Sequence, residues 1–270
     1  MISIFKKKTL KLFYHVKWWI QSRKLIRNKY KYKKTSKIEL CQPSLLIVPH
    51  ADDELIGCYS LISGHHIKDV VYCRFSEKEM GETRLQELKE FLAITESNLY
   101  VSNGILQDDI WCLLKKNKYN SIFLPSPLDW HYEHRCLSHL LLNIISYIPN
   151  YNPDVYLYSI TVPHCDFGNL RYGILSDQNQ KKKWGEFVRC YKSQLHLPIR
   201  RFQYKEKIQG SFCSQKVAVE LFMKLTIDEL RFFYSKCKDR EKYLDKCASY
   251  INDLERIFQI SQDFSKNLTL

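Results

Sequence analysis

Two polar clusters in this 270-residue chain carry residue types that do chemistry. The first is His50-Ala51-Asp52-Asp53-Glu54, directly after the apolar run Leu45-Leu46-Ile47-Val48-Pro49. Three adjacent carboxylates repel one another unless a cation or fixed donors hold them. A histidine beside them points to a metal that takes nitrogen and oxygen ligands, such as zinc. The second cluster, Asp129-Trp130-His131-Tyr132-Glu133-His134, follows another apolar run, Ser121-Ile122-Phe123-Leu124-Pro125. His50 and Asp53 are three apart and face the same way at a helix start. His134 completes a three-ligand set with one position left for water, the layout of a catalytic zinc. Another divalent metal would suit the same ligands. Asp52 is then placed to take a proton from that water. His131 is placed to stabilise an oxyanion or to protonate a leaving amine. A lone histidine before acids is more often a helix-capping arrangement, but two spaced clusters that both follow strands are hard to reach by chance.

The elements that must position these clusters alternate between apolar runs and helical patterns. Strands are expected at Ser44–Val48, Val70–Phe75, Leu99–Ser102, Ser121–Leu124 and Val155–Val162. Helices are expected at Asp52–Ser63, Gly81–Thr95, Asp109–Lys116 and His134–Tyr147. This alternation implies an α/β fold, a Rossmann-like, mostly parallel sheet with helices on both faces. Sites in such sheets lie beyond the carboxyl ends of the strands, where both clusters fall. Glycine-rich phosphate loops are absent. After Asn169 the pattern is less legible; helices are read at Lys181–Leu195 and across Glu241–Phe258. His164, close to Asp166, is a weak candidate for the pocket wall.

Ten scattered cysteines form no Cys-x-x-Cys pair, which excludes a thiolate zinc knuckle and suits a reduced, cytoplasmic protein. The net charge of +13 is localised. Residues 1–37 hold thirteen Lys and Arg and no acid, so the remainder is formally neutral. Phe5, Leu12, Val16 and Trp19 share one face of a basic N-terminal helical arm. Lys11 and Lys17 interrupt it, so it is too short and too charged to span a bilayer. Two readings stand: the arm lies on an anionic membrane surface, making the protein peripheral at the inner face, or its apolar face packs on the body. Nucleic acid is not an expected partner, because Lys29-Tyr30-Lys31-Tyr32-Lys33 matches no binding motif.

The two clusters resemble the motifs of the zinc-dependent N-acetylglucosaminyl deacetylases, the PIG-L and LmbE-like family. Pro49 to Glu54 match its Pro-His-Pro-Asp-Asp-Glu except at Ala51. Asp129, His131 and His134 match its Asp-x-His-Pro-Asp-His, with Tyr132 and Glu133 substituted. Arg84 and Glu87 are similar to its Arg-x-x-Glu, Ser193-Gln194 to a further feature, and Glu220 and Phe222 to its late Glu-x-Phe. The resemblance covers about residues 43–222. It implies a domain over 41–230, between the arm (1–40) and a packed helical extension (231–270). It implies metal ligation by His50, Asp53 and His134, with Asp52 as general base and His131 as second catalytic group. Arg84 would contact the sugar and Asp108 a sugar hydroxyl. Glu54 would cap the helix or orient His50, and Asp129 would stand behind the histidines. The implied reaction is metal-assisted removal of an N-acetyl group from an N-acetylglucosamine-type sugar, with lipid-linked and surface-glycan forms among the candidates. The alternatives are a catalytically silent glycan- or lipid-binding protein and an amidase on another acylated amino sugar. The chain departs from the pattern at Tyr59-Ser60, where a glycine pair is usual, and at Glu133.

Overall fold

The computed structural model describes residues 2–28, 30–40, 42–75, 80–102 and 104–268, with backbone alone for 2–9. Among the described residues eight strands form, most of them from short apolar runs: β1 (Thr35–Lys37, polar and largely exposed), β2 (Ser44–Val48), β3 (Asp69–Tyr72), β4 (Asn98–Val101), β5 (Ser121–Pro125), β6 (Asp154–Tyr158), β7 (Asn169–Leu175) and β8 (Ala218–Leu225). They form one sheet in the order β1-β7-β8-β6-β5-β2-β3-β4. All its pairings are parallel except those of β8, which runs antiparallel to β6 and β7. Every residue of β2 and β5 is buried, as continuous aliphatic runs covered on both faces require.

The helices between strands are α2 (Asp53–Ile62), α3 (Gly81–Thr95), α4 (Leu106–Asn117), α5 (Tyr132–Ser146), α6 (Asp177–Cys190) and α7 (Ile199–Phe212). Two apolar clusters, one against each face of the sheet, make the core. Leu46, Val48, Phe123 and Tyr158 belong to one, and Leu45, Ile47, Ile122 and Leu157 to the other. The alternation of neighbours along each strand between the clusters is the two-residue period of a strand buried on both sides.

The chain leaves β2 toward β3 and β4, then returns to lay β5 on the other edge of β2, with Ser44 opposite Ser121. β2 and β5 therefore flank the switch point of the sheet, and their carboxyl ends open on one crevice.

Outside the sheet, α1 (Ile2–Arg27), α8 (Ile227–Lys238), α9 (Glu241–Cys247) and α10 (Leu254–Lys266) complete the molecule. The expected single helix over Glu241–Phe258 is instead broken: a 3-10 turn at Ala248–Tyr250 follows α9, and Asp253 caps a new helix by accepting from Arg256 N at 3.0 Å. The apolar spacing was helical, but Asn252-Asp253 supplies a start signal that competes with it. In the arm, Trp18, Gln21, Ser22 and Leu25 face the body, with Trp18 Nε1 donating to Asn252 O at 3.2 Å. Leu12, Val16 and Trp19 do share a face, but it points outward; the side chain of Phe5 lies outside the described residues. No helix among the described residues is long and apolar enough to cross a membrane.

Candidate active site

His50 opens the turn after β2, and Asp53 begins α2 three residues later. His134 lies in the first turn of α5, after the loop that follows β5. Three atoms of these side chains form a nearly equilateral triangle. Asp53 Oδ2 lies 3.2 Å from His50 Nδ1 and 3.3 Å from His134 Nε2, and the two nitrogens are 3.3 Å apart. Tetrahedral zinc with bonds of about 2.0–2.1 Å spaces its ligand atoms about 3.3–3.4 Å apart. The triangle thus has the size of one face of a zinc tetrahedron, and it is the cluster of histidine and carboxylate groups that could hold a metal among the described residues.

The far side of each histidine supports that fit. His50 Nε2 meets Glu133 Oε2 at 2.6 Å. With its hydrogen on Nε2, the imidazole turns the lone pair of Nδ1 into the triangle. His134 Nδ1 is buried, with no hydrogen-bond partner among the described residues, 3.7 Å from Asp129 Oδ2. A metal drawing on Nε2 would favour the hydrogen on Nδ1, facing that carboxylate. Carboxylates behind ligating histidines fix their tautomer and raise their basicity. Asp129 is itself held, accepting from Thr161 N at 3.0 Å, Thr161 Oγ1 at 2.9 Å and His131 N at 3.1 Å. The substituted Glu133 therefore serves His50, and Asp129 stands behind His134.

The electrostatics match a cation's site. Burial opposes ionisation of Asp53, but His134 and His50 overcome it and hold the carboxyl below the usual range. Burial opposes a charge on His134, but Asp53 and Asp129 push it up to about 10. Burial and the adjacent Asp53 raise Asp52 well above the ordinary carboxylate value, against the pull of Arg84. A bound cation would act on Asp52 in the opposite sense.

Asp52 sits at φ 120°, a conformation rare for a residue with a side chain. Such strain costs about 1–3 kcal/mol and persists where the surroundings enforce it. Glu54 enforces it: one of its oxygens accepts from Asp52 N at 3.1 Å and the other from Tyr191 Oη. Glu54 thus holds the turn; among the described residues it forms no hydrogen bond with His50, whose Nε2 meets Glu133 instead. Burial raises Glu54 to about 7.

Asp52, Arg84, His131 and the three triangle residues line one cavity of about 410 Å³. A larger groove of about 980 Å³, between α1 and α10, contains none of these groups. Arg84 Nη2 donates to Ala51 O at 2.8 Å and stands 3.5 Å from Asp52 Oδ1. Glu87 accepts from Ser193 N and Oγ at 2.7 and 2.6 Å, which sets Gln194 on the cavity wall. Partial burial outweighs Asp129 and lowers His131 from its ordinary value, favouring the neutral imidazole.

Two sequence expectations are not met. Asp108 is exposed on the first turn of α4, away from the cavity. That helix leads out of the edge strand β4, two positions from β2. His164 is fully buried, does not line the cavity, and uses its backbone carbonyl to accept from Tyr32 and Ser261. Conversely, Arg201 on α7 lines the cavity while 1% exposed, donating to Ile251 O at 2.8 Å and lying 4.5 Å from the ring centre of Phe202. Its signal in the sequence is slight: a second arginine beside Phe202, in a stretch with no motif.

No protein-family model matches the chain, and no curated protein matches it in sequence. Solved structures share its fold. The A40926 pseudoaglycone deacetylase Dbv21 superposes with a TM-score of 0.54 at 11% identity, over 69% of this chain and 97% of its own. A zinc-inhibited form of teicoplanin deacetylase Orf2 gives 0.53 at 11%, over 67% and 97%. GalB, the 4-carboxy-2-hydroxymuconate hydratase of Pseudomonas putida KT2440, gives 0.53 at 15%, over 68% and 96%. The shared scaffold thus carries a hydratase as well as deacetylases, so the chemistry must be argued from the site.

Proposed function

We propose that this chain is a metal-dependent N-deacetylase of the PIG-L and LmbE-like type. Its substrate class would be an N-acetylated amino sugar, with an N-acetylglucosaminide the first candidate and lipid-linked and surface-glycan forms within it. The observation that carries the reading is the triangle of His50 Nδ1, Asp53 Oδ2 and His134 Nε2, with a carboxylate behind each histidine and Asp52 beside it in the same cavity. The deacetylase neighbours lend support from fold alone.

His50, Asp53 and His134 would hold a divalent metal, zinc first. When bound, it supplies Lewis acidity that acidifies water and polarises an acyl carbonyl. Asp52, fixed by Glu54 and turned toward Arg84, takes the proton of the attacking water as the new C–O bond forms. The neutral imidazole of His131 donates to the oxygen that gains charge. The C–N bond then breaks, Asp52 returns the proton to the departing nitrogen, and acetate and a free amine result. Arg84, Gln194 and Arg201 provide donors along the wall for sugar oxygens. Residues 41–230 would hold this machinery, with the arm (1–40) and the extension (231–270) added around it.

The test is acetate release by the zinc-loaded full chain from free, nucleotide-linked and lipid-linked N-acetylglucosaminides. Release is expected to need the metal and to fall about 10³-fold or more in Asp52→Asn, as loss of a base acting with other groups implies. Zinc bound at the triangle with no release from any of them would shift the reading to another acylated amino sugar. No release and no retained zinc would leave a silent binding protein.

A further inference from the structure

Among the described residues, nothing covers the outward face of α1 beyond the rim of the groove that Trp19 and Ile20 share with α10. Leu12, Phe13, Val16, Trp19 and Ile20 are 48–64% exposed. At 3.6 residues per turn these five fall within about 120° of arc. The buried residues Trp18, Gln21, Ser22 and Leu25 lie on the opposite side. Between Leu12 and Ile20 the helix thus turns large apolar side chains outward while it buries Trp18 and Leu25, whereas a helix that only packs on a body is polar along its outward face. Exposed large apolar side chains elsewhere among the described residues, such as Ile94, Tyr147 and Val188, belong to separate elements. A contiguous exposed stripe marks a surface that meets something apolar.

Charge selects the occupant. Residues 1–37 contain thirteen Lys and Arg and no acid. Lys17 and Lys24 pair with Asp253 and Glu255. Lys11, Arg23 and Arg27 form no ion pair among the described residues, and Arg23 lies over the Trp19 ring at 5.7 Å. A second copy seated face to face would oppose two such basic arms, so self-association is disfavoured. A stripe of Leu, Phe, Val, Trp and Ile, continued along the same face by Arg23 and Arg27 and flanked by Lys17 and Lys24, fits the plane where anionic headgroups meet acyl chains. We propose that α1 docks the protein on an anionic lipid surface, with Leu12 to Ile20 inserted and the bases among the headgroups.

The docked helix touches the cavity wall. Trp18 bonds Asn252 O, and the adjacent Ile251 lines the cavity and accepts from Arg201. Docking would therefore hold that wall behind α1, one helix diameter (~10 Å) from the membrane, where lipid-linked sugars are carried. This last consequence rests on the proposed deacetylase reading; the docking does not.

The experiment is sedimentation of the full chain with phosphatidylcholine vesicles, with and without phosphatidylglycerol, beside a Phe13→Ser/Trp19→Ser double variant. Both substituted residues are exposed, and thermal melting checks the fold. The wild type is expected to sediment with anionic vesicles, weakly with neutral ones, and less as salt rises. The double variant is expected to bind about tenfold or more weakly while releasing acetate from a water-soluble substrate as the wild type does. Absence of sedimentation, or equal sedimentation of the variant, would overturn docking. So would a wild-type dimer in size exclusion that the double substitution makes monomeric. The sedimentation and size-exclusion readouts need no catalysis, so failure of docking and failure of the deacetylase reading are separable.

Discussion

Glu133 shows how a single side chain reads differently in sequence and in space. In the sequence it is a departure from a motif that has aspartate. In the structure its longer arm reaches His50 Nε2 at 2.6 Å and leaves Nδ1 free for the triangle. Removing a carboxylate behind a ligating histidine typically costs about 10–100-fold in metal affinity. Glu133→Ala is therefore expected to weaken zinc binding by about that factor, measured by competition with a chelating dye, with no loss of thermal stability in the metal-free protein. Unchanged affinity would remove Glu133 from the centre. The triangle residues were legible because ligand types at fixed spacing after strands are a local signal. The partner of His50 was not, because a contact across 83 residues depends on which helix lands beside which.

At the scale of elements, α2 carries the first cluster and is interrupted. Its regular bonding breaks at Cys58 (φ −134°). Glu220 on β8 accepts from the freed Tyr59 N and Ser60 N at 3.0 and 2.7 Å. Ile56 O, which a regular helix would give to Ser60, accepts instead from Lys183 Nζ at 2.8 Å. Lys183 closes the arrangement by pairing at 2.6 Å with both Glu220 and Glu206. A buried ion pair thus fills the break in the helix. Close packing sets the position of α2 as well: a Cβ at Gly57 would come within 2.5 Å of Tyr158 Cδ2. Lys183→Met strands two buried carboxylates and is expected to cost about 3–5 kcal/mol in urea unfolding. Adding Glu206→Gln and Glu220→Gln should recover most of that. A single variant that unfolds like the wild type would show the network to be dispensable. The sequence made the early strands and helices legible through their alternation. β7, β8, α7 and α8 were not, because β8 runs antiparallel and lies between β6 and β7, a non-sequential order that no local period announces.

Across the whole molecule, stability should depend on pH through a group outside the site. His164 is fully buried, its ring beside the backbones of Leu157 and Leu221 but without a well-formed hydrogen bond among the described residues. Burial, helped by the nearby Lys205, lowers it to about 3. The native state then keeps it neutral while the unfolded chain, near 6.5, takes up a proton. The unfolded state binds more protons between those two values, so stability is full above about 6.5 and falls as pH drops toward 3. The slope from this residue approaches about 1.4 kcal/mol per pH unit. Urea midpoints at successive pH values should show His164→Leu flattening that slope by about one proton; an unchanged slope would mean that other groups carry it.

Everything proposed for catalysis depends on a metal held by two imidazoles and one carboxylate at the switch point of the sheet. X-ray absorption at the zinc edge on the full chain tests that directly, with Asp53→Ala alongside. The account predicts about one zinc per chain, with two imidazole nitrogens near 2.0–2.1 Å and oxygens completing the shell, and loss of zinc in the variant. A shell containing sulfur near 2.3 Å, or a wild-type protein that retains no zinc, would contradict it.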